Sequence, residues 1–290
     1  MHIALIGCGE VGGTYARALN AKVSLSLCDI EPGGRPGKVA RELGLPLHAA
    51  PDEWLGACDI AIAAVPGQES GGAAASALPF LSPGSLYIDV STGAPDSLRK
   101  SAKNFETGAR AFVDAAIMGA ISLHGGATPV LVAGAETARA AAVFQLMDAP
   151  VTMLDDARPG DAVALKLLRS VIIKGLECLA IESLTAAEHM GVRPRLLELL
   201  GDLDRSPIAD YLGALVTTHL VHAERRMHEM NEAATQLRAA GFDAAVTGAL
   251  EKRYQGTLAG RQADPPEKHA HDSVDAAIAW LTQVGLQKPA

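Results

Sequence analysis

The sequence has few aromatic residues, no paired cysteines and no long apolar runs. Aromatic residues make up only 4% of its 290 residues, so we expect a core of closely approaching small side chains and helices. No apolar stretch approaches the ~18 residues of a membrane span, and a strand that begins at residue 2 leaves no room for a signal peptide. The cysteines lack C-x-x-C spacing, which predicts a reduced, cytoplasmic protein without disulfides or zinc fingers. They are Cys8, Cys28, Cys58 and Cys178.

Excess positive charge is also absent from the chain. The formal net charge is −8 and the isoelectric point is near 5.6. This acidic balance argues against nucleic acid or an anionic membrane as the main partner. The histidines at His219, His222 and His228 do not supply a complete ligand set, so no metal site is expected. These exclusions favour a soluble enzyme that acts on a small molecule.

A glycine-rich loop at the start of the chain is its most informative feature. Residues 2–6 form an apolar run, and residues 7–12 match the dinucleotide-binding pattern G-x-G-x-x-G before a helix-like stretch. In that pattern Gly7 permits the tight turn, Gly9 lets a pyrophosphate approach, and Gly12 lets the helix pack on the strand. The phosphates would lie at the helix N-terminus. The other residues of the predicted cofactor loop are Cys8, Glu10 and Val11.

An acidic residue follows the predicted second strand at the expected distance. Residues 23–28 are strand-like, and Asp29 stands at their end, 22 residues after Gly7. A carboxylate there accepts hydrogen bonds from both ribose hydroxyls and repels a 2′-phosphate, which favours NAD over NADP. Glu31 adds negative charge, whereas Arg35 reduces it, so NADP stays open as the alternative. A glycine-rich turn without a ligand is the competing interpretation of the loop alone.

The order of strand-like and helix-like segments predicts an α/β protein with two domains. Residues 1–157 alternate both types, as in a doubly wound parallel Rossmann sheet that binds NAD(P). A polar hinge at 155–161 precedes segments that all look helical, beginning with one long helix over about 162–190. We therefore predict a second, all-helical domain over 158–290 for substrate binding and dimerisation. Its further helices are predicted at 195–203, 208–237, 243–254 and 273–284.

The long predicted helix carries a lysine suited to proton transfer. Helical spacing places Lys166, Ser170, Lys174 and Glu177 on one face. One interpretation is a solvated face with an ordinary ion pair. The other is a lysine whose pKa is lowered by neighbouring cations, so that it exchanges a proton near neutrality.

Four segments resemble, in order, the β-hydroxyacid dehydrogenase superfamily, which includes 3-hydroxyisobutyrate and 6-phosphogluconate dehydrogenases. They are the loop 7–12, the D-V-S-T-G-A-P turn at 89–95, the D-A-A-I-M-G-A segment at 114–120 and the helix bearing Lys166. The resemblance implies that Lys166 is the catalytic acid/base and that Thr92 lies against the nicotinamide. It also implies that Val65 and Pro66 line the cofactor cleft and that the protein is a homodimer.

The chain departs from the family pattern at the substrate end. Met118 replaces the family's serine, Ala120 its second glycine, and Ser170 an asparagine. Residues 118–120, with Gly119 between the two replacements, are still expected to approach the substrate together with Ser170. We expect the family's usual contact with a substrate carboxylate to be either lost or rebuilt by His124 or by backbone amides.

A basic segment in the C-terminal half offers a second group of substrate-binding candidates. Arg225, Arg226 and His228 could bind a substrate anion if their helix faces the cleft. The alternative is a surface charge run balanced by the neighbouring glutamates. This segment resembles an offshoot of the superfamily whose C-terminal domain has no known function. The resemblance to the superfamily therefore implies the fold and the cofactor of this chain, but it does not imply the substrate.

The expected activity is hydride transfer between NAD(P) and a small, anionic hydroxy acid or related alcohol, with Lys166 relaying the proton. An imine reductase-like activity is the first alternative, although those relatives generally carry aspartate or tyrosine at the lysine position. A nucleotide-binding protein without catalysis is the second. The apolar long helix and the segment 212–216 also predict a homodimer, because together they offer more hydrophobic surface than one small helical domain covers.

Overall fold

The N-terminal half of the chain forms one sheet flanked by helices. The computed structural model describes residues 1–286, and its eight strands have the spatial order β3-β2-β1-β4-β5-β6-β7-β8. The strands are β1 His2–Ile6, β2 Ser24–Cys28, β3 Leu47–His48, β4 Ile60–Ala63, β5 Leu86–Asp89, β6 Ala111–Ile117, β7 Val130–Ala133 and β8 Val151–Met153. The helices among them are α1 Glu10–Leu19, α2 Gly34–Leu43, α3 Ser70–Ala77, α4 Pro95–Thr107, α5 Ile121–His124 and α6 Thr137–Gln145. The predicted Rossmann-type α/β fold is confirmed.

Both faces of the sheet are buried, as the near-continuous apolarity of its strands indicates. In β1 the side chains of Ile3 and Leu5 join one hydrophobic cluster, whereas Ala4 and Ile6 join another. Successive side chains of a strand point to opposite faces, so the two clusters lie on the two sides of the sheet. Helices therefore cover both sides and leave the strand ends available for a ligand.

One pair of strands departs from the parallel arrangement of the predicted sheet. β7 pairs with β6 in the antiparallel direction, with Asp114 opposite Ala133 and Ile117 opposite Val130. If β7 were parallel to β6, the chain would have to cross back to the other end of the sheet. Such a crossover needs about a dozen residues or more and usually contains a full helix. The connection over 118–129 instead holds only the four-residue α5 and a short 3₁₀ turn, so the chain turns back at the same end of the sheet.

The remainder of the described chain is helical, as predicted. The helices are α7 Asp161–His189, α8 Arg193–Leu199, α9 Ile208–Ala239, α10 Ala245–Ala263 and α11 Val274–Leu286. Two compact units result, the first over Met1–Val171 and the second from Ile172 onward. The start of α7 thus belongs to the first unit, while the predicted domain boundary after residue 157 stays a prediction. Across residues 1–286, no helix is long and apolar enough to cross a membrane.

Within the second unit, a carboxylate from α7 fixes the start of α10. Glu182 accepts hydrogen bonds from the backbone N–H groups of Val246 and Thr247, at 2.9 and 3.0 Å. Burial alone would raise the pKa of Glu182, but the hydrogen bonds from Thr247 and Val246 outweigh it and hold this pKa below its ordinary value. A negative charge at a helix N-terminus satisfies N–H groups that lack partners inside the helix.

Candidate functional site

The glycine loop has the close backbone contacts that its pattern predicts. Gly7 follows β1 with φ +87°, and a Cβ on it would lie 2.5 Å from the carbonyl oxygen of Ala64. A Cβ on Gly12 would lie 1.8 Å from the carbonyl oxygen of Gly7. A Cβ on Gly9 would meet nothing within 4 Å, which leaves open space above the N-terminus of α1. Only glycine fits the first two positions, while the third leaves room for a ligand.

Asp29 is tied to this loop by backbone hydrogen bonds. Its Oδ2 accepts from the N–H of Cys8 at 2.7 Å and its Oδ1 from the N–H of Glu31 at 2.9 Å. The side chain of Cys8 is fully buried, and burial, with the nearby charge of Asp29, raises the pKa of its thiol to about 12. The side chain of Cys8 therefore packs in the hydrophobic core next to the glycine loop. Its predicted contact with a cofactor stays a prediction.

A cavity of about 530 Å³ opens beside this loop. Gly7 and Gly9 line it from the loop after β1, and Asp29 lines it from the position after β2. Val65 and Pro66 line it from the segment that follows β4. Glu31 adds a second carboxylate to the wall. Ligands of open α/β sheets bind beyond the carboxyl ends of the strands where the strand order reverses. β1 and β4 are the strands at that point.

A second cavity, of about 440 Å³, adjoins the first and shares Ala64 and Val65 with it. Glu10 and Val11 of the glycine loop line this cavity, as do Thr92 and Lys166. The Nζ of Lys166 donates a hydrogen bond to Thr92 Oγ1 at 2.8 Å. The structure thus brings together two residues that are 74 positions apart in the sequence, next to the predicted dinucleotide loop.

The start of α7, and with it Lys166, is anchored by a buried carboxylate that the sequence analysis did not select. Asp114 lies in β6, and its Oδ2 accepts from the N–H groups of Gly160 at 2.9 Å and Val163 at 3.0 Å. Burial raises the pKa of Asp114, although the hydrogen bonds from Val163 and Gly160 lower it in part. Gly160 has φ +99°, and a Cβ there would lie 2.6 Å from the Pro95 carbonyl oxygen. The backbone before Lys166 is therefore tightly fixed.

A second buried carboxylate fixes the turn that carries Thr92. Asp89 accepts hydrogen bonds from Ser70 Oγ at 2.6 Å and from the N–H of Ser91 at 2.8 Å. The hydroxyl of Ser91 in turn accepts from the N–H of Val65 at 3.1 Å. Burial raises the pKa of Asp89 to about 6. This network holds the Thr92 turn against the segment after β4. A carboxylate within an apolar strand is the sequence signal that could have identified both aspartates.

The predicted substrate segment is only partly directed into the second cavity. Gly119 and Ala120 line it, but the side chain of Met118 packs against a hydrophobic cluster around Ala116 and Leu131. Ser122, which the sequence analysis did not select, lines the cavity beside them. Ser170 lies on α7 one turn beyond Lys166, and its predicted role stays a prediction.

The basic candidates of the C-terminal half belong to the second unit. Arg225 and His228 lie on α9 and line an open groove along that helix. Arg225 forms an ion pair with Glu229, four residues later on the same helix. Their predicted contact with substrate stays a prediction. Among residues 1–286, no cluster of three or more histidine, cysteine or acidic side chains is placed to hold a metal ion.

Two relatives resemble the chain over most of its length. A protein of Methanothermus fervidus, described as an uncharacterized 28.5 kDa protein in the 7S RNA 5′ region, is 25% identical over 232 residues, which cover 80% of this chain and 89% of that protein. The solved structure of the conserved protein MTH1747 is 26% identical, with a TM-score of 0.60 and coverage of 90% and 98%. Its own description reports structural similarity with 3-hydroxyacid dehydrogenases.

Solved imine reductases share the fold at lower identity. An enzyme variant from Myxococcus stipitatus in complex with NAD⁺ is 16% identical, with a TM-score of 0.73 and coverage of 97% of this chain and 98% of that one. An Aspergillus terreus imine reductase in complex with NADPH4 and dibenz[c,e]azepine is 18% identical, with a TM-score of 0.71 and coverage of 90% and 94%. At these identities the likeness shows the fold alone.

Family models match both parts of the chain. The model described as the NAD binding domain of 6-phosphogluconate dehydrogenase matches residues 2–155, which is more than half of the sequence. A domain of unknown function, DUF1932, matches residues 187–257. The first match covers the glycine loop, Asp29 and the Thr92 turn. The chain therefore belongs to the 6-phosphogluconate dehydrogenase-like family of NAD-binding proteins and has its dehydrogenase-type fold.

Proposed function

We propose that this protein is an NAD-dependent oxidoreductase that interconverts a small hydroxy acid, or a related alcohol, and the corresponding carbonyl compound. The observation that carries this proposal is the 2.8 Å hydrogen bond between Lys166 Nζ and Thr92 Oγ1 in a cavity that adjoins the glycine loop. Oxidation of an alcohol requires a base for the hydroxyl proton, and an amine held at the end of the dinucleotide site can serve as that base.

The cofactor would occupy the two adjoining cavities. Its pyrophosphate fits the open space at Gly9 and the free N–H groups of the first turn of α1. Its adenosine ribose would lie beside Asp29, and its nicotinamide would occupy the second cavity between Val65 and Thr92. Bound NAD would supply the hydride acceptor, and Lys166 in its neutral form would take the hydroxyl proton. In the reverse direction protonated Lys166 returns that proton to the carbonyl oxygen.

The substrate would contact the cavity wall opposite the glycine loop. The backbone of Gly119 and Ala120 and the hydroxyl of Ser122 line this wall. They could hold a carboxylate by hydrogen bonds where the family's serine is replaced by Met118. Arg225 and His228 stay candidates for an anionic substrate group. A reducing cytoplasmic location and the absence of nucleic-acid partners remain part of the proposal.

Turnover with a panel of hydroxy acids tests the proposal directly. We expect NADH to form when purified protein is incubated with NAD⁺ and a small 2- or 3-hydroxy acid. The reverse assay uses the matching keto acids and, in parallel, cyclic imines with NADH. Faster reduction of imines than of keto acids would favour the imine reductase alternative, which the shared fold supports. If the protein binds NADH but converts none of the hydroxy acids, keto acids or imines, the result would favour a nucleotide-binding protein without catalysis.

We expect the protein to bind NADH more tightly than NADPH. Asp29 and Glu31 both line the cavity proposed for the ribose, and a 2′-phosphate there would meet two carboxylates. Titration followed by nicotinamide fluorescence gives both dissociation constants. Tighter binding of NADPH would contradict the assignment of NAD.

We also propose that the protein is a homodimer. The side chains of Leu168, Val171 and Ile181 on α7 are 64%, 70% and 59% exposed, and Ile173 and Leu176 are about half exposed. Exposed apolar surface of this extent marks an interaction site, and a second copy of this chain would cover it. Sedimentation equilibrium at micromolar protein should give the mass of a dimer. A monomer at that concentration would contradict this proposal.

A further inference from the structure

The second unit contains a cavity that the proposed oxidoreductase function does not use. It has a volume of about 420 Å³ and lies between α9, α10 and α11. Val216, Leu250 and Leu281 contribute an apolar wall, one from each helix. Its size falls within the ~300 to 1,000 Å³ of small-molecule sites, and so does its pattern of apolar walls with a few polar groups.

Two arginines give this cavity an unbalanced positive charge. Arg226 comes from α9 and Arg253 from α10, and both line the cavity. Arg226 Nη2 donates a hydrogen bond to the hydroxyl of Thr218 at 2.9 Å. Within residues 1–286 no aspartate or glutamate lines the cavity, and neither arginine forms an ion pair. Arg225, next to Arg226, is by contrast paired with Glu229.

A histidine and a tyrosine complete the polar side of the cavity. His219 Nε2 is 2.9 Å from Thr257 Oγ1, and the ring of His219 stacks on Tyr254 with the ring centroids 5.1 Å apart. Burial, and then the charges of Arg253 and Arg226, lower the pKa of His219. A neutral imidazole beside both guanidinium groups leaves their charge as the dominant electrostatic feature of the cavity.

We propose that this cavity binds an organic carboxylate with an apolar body, such as a medium-chain fatty acid. The carboxylate would accept hydrogen bonds from Arg226 and Arg253, because a guanidinium group matches a carboxylate in shape and charge. The apolar chain would lie against the leucine and valine side chains. Every residue that lines the cavity falls between positions 212 and 281, so the proposal is independent of the oxidoreductase function and is tested without a cofactor.

Tryptophan fluorescence of the full chain provides a direct binding assay. The chain has two tryptophans, and Trp54→Phe leaves Trp280 as the only one. Trp280 packs in a cluster with Val216 and Leu281, which also line the cavity. Titration of Trp54→Phe protein with octanoate should change its emission in a saturable way, with one site per chain. The uncharged analogue octanamide and inorganic phosphate are titrated in parallel.

Three further substitutions in that background identify the site. Arg226→Met and Arg253→Met should each weaken octanoate binding about tenfold or more, because each removes a charge-assisted hydrogen bond. Lys252→Met is the matched control: it removes a positive charge one residue from Arg253 but outside the cavity lining, and should leave the affinity unchanged. Circular dichroism establishes that each variant is folded. Octanoate should also raise the melting temperature of the parent and of Lys252→Met more than that of either arginine variant.

Three results would overturn the proposal. The first is the absence of saturable octanoate binding to the Trp54→Phe protein at millimolar concentration. The second is equal affinity for octanamide, which would mean that the charge of the arginines is not recognised. The third is equal affinity for inorganic phosphate with the same dependence on Arg226 and Arg253, which would mean that the apolar wall contributes nothing.

Discussion

Replacing Lys166 with methionine should abolish turnover while the affinity for NADH stays nearly unchanged. Methionine keeps an unbranched stem but removes the amine that hydrogen bonds to Thr92 Oγ1. Loss of a positioned general acid or base costs about a hundredfold to ten-thousandfold in rate. The cofactor contacts proposed for Gly9, Asp29 and Val65 do not involve this amine. The measurements are kcat on the best substrate of the panel and a fluorescence titration with NADH.

Lys103→Met supplies the matched control for this experiment. Lys103 is an exposed lysine of α4 and lines neither of the two adjoining cavities, so its replacement should leave kcat and NADH affinity unchanged. Thermal unfolding of both variants tests whether the fold is intact. A Lys166→Met protein that is folded, binds NADH and retains more than about a tenth of the parent activity would refute the proposed proton transfer.

The cofactor half of the site was largely predictable because its determinants are local in sequence. A strand, a glycine loop and a helix follow one another over 20 residues, and Asp29 comes at the end of the next strand. The long helix predicted over about 162–190 corresponds to Asp161–His189, since this stretch contains no proline and Gly175 alone interrupts its helix-forming residues. Both features depend on backbone preferences that nearby residues set.

The features that the sequence analysis missed depend on packing between distant segments. The direction of β7 follows from how residues 118–129 return along the sheet, and composition does not encode that path. Met118 packs in a hydrophobic cluster while Ser122 reaches the cavity, an outcome decided by the orientation of a short turn. The apolar strand around Asp114 indicates that this side chain is buried, but only the folded chain shows that its partners are backbone groups 46 and 49 residues away.

Asp114→Ala should lower both the stability of the first unit and the turnover number. Alanine leaves the N–H groups of Gly160 and Val163 without their acceptor at the buried start of α7. Each unsatisfied N–H costs about 1 to 3 kcal/mol, and removal of a buried carboxylate returns part of that cost, so a net loss of about 2 to 4 kcal/mol is expected. Turnover should fall because Lys166 lies in the second turn of the same helix. Urea denaturation and kcat measure the two effects.

Asp114→Asn separates the hydrogen bonds of Asp114 from its charge. The amide oxygen can still accept from Gly160 and Val163, so this variant should keep most of the stability that alanine loses. Because burial raises the pKa of Asp114 in the folded protein, the part of its contribution to stability that depends on protonation is fully present at acidic pH and is lost as the pH rises through that pKa. Asparagine does not titrate, so the stability of the parent relative to Asp114→Asn should fall between acidic and neutral pH. An alanine variant as stable as the parent would show that Asp114 does not anchor the helix that carries Lys166. A difference that is constant with pH would show that the pKa of Asp114 is not raised in the folded protein.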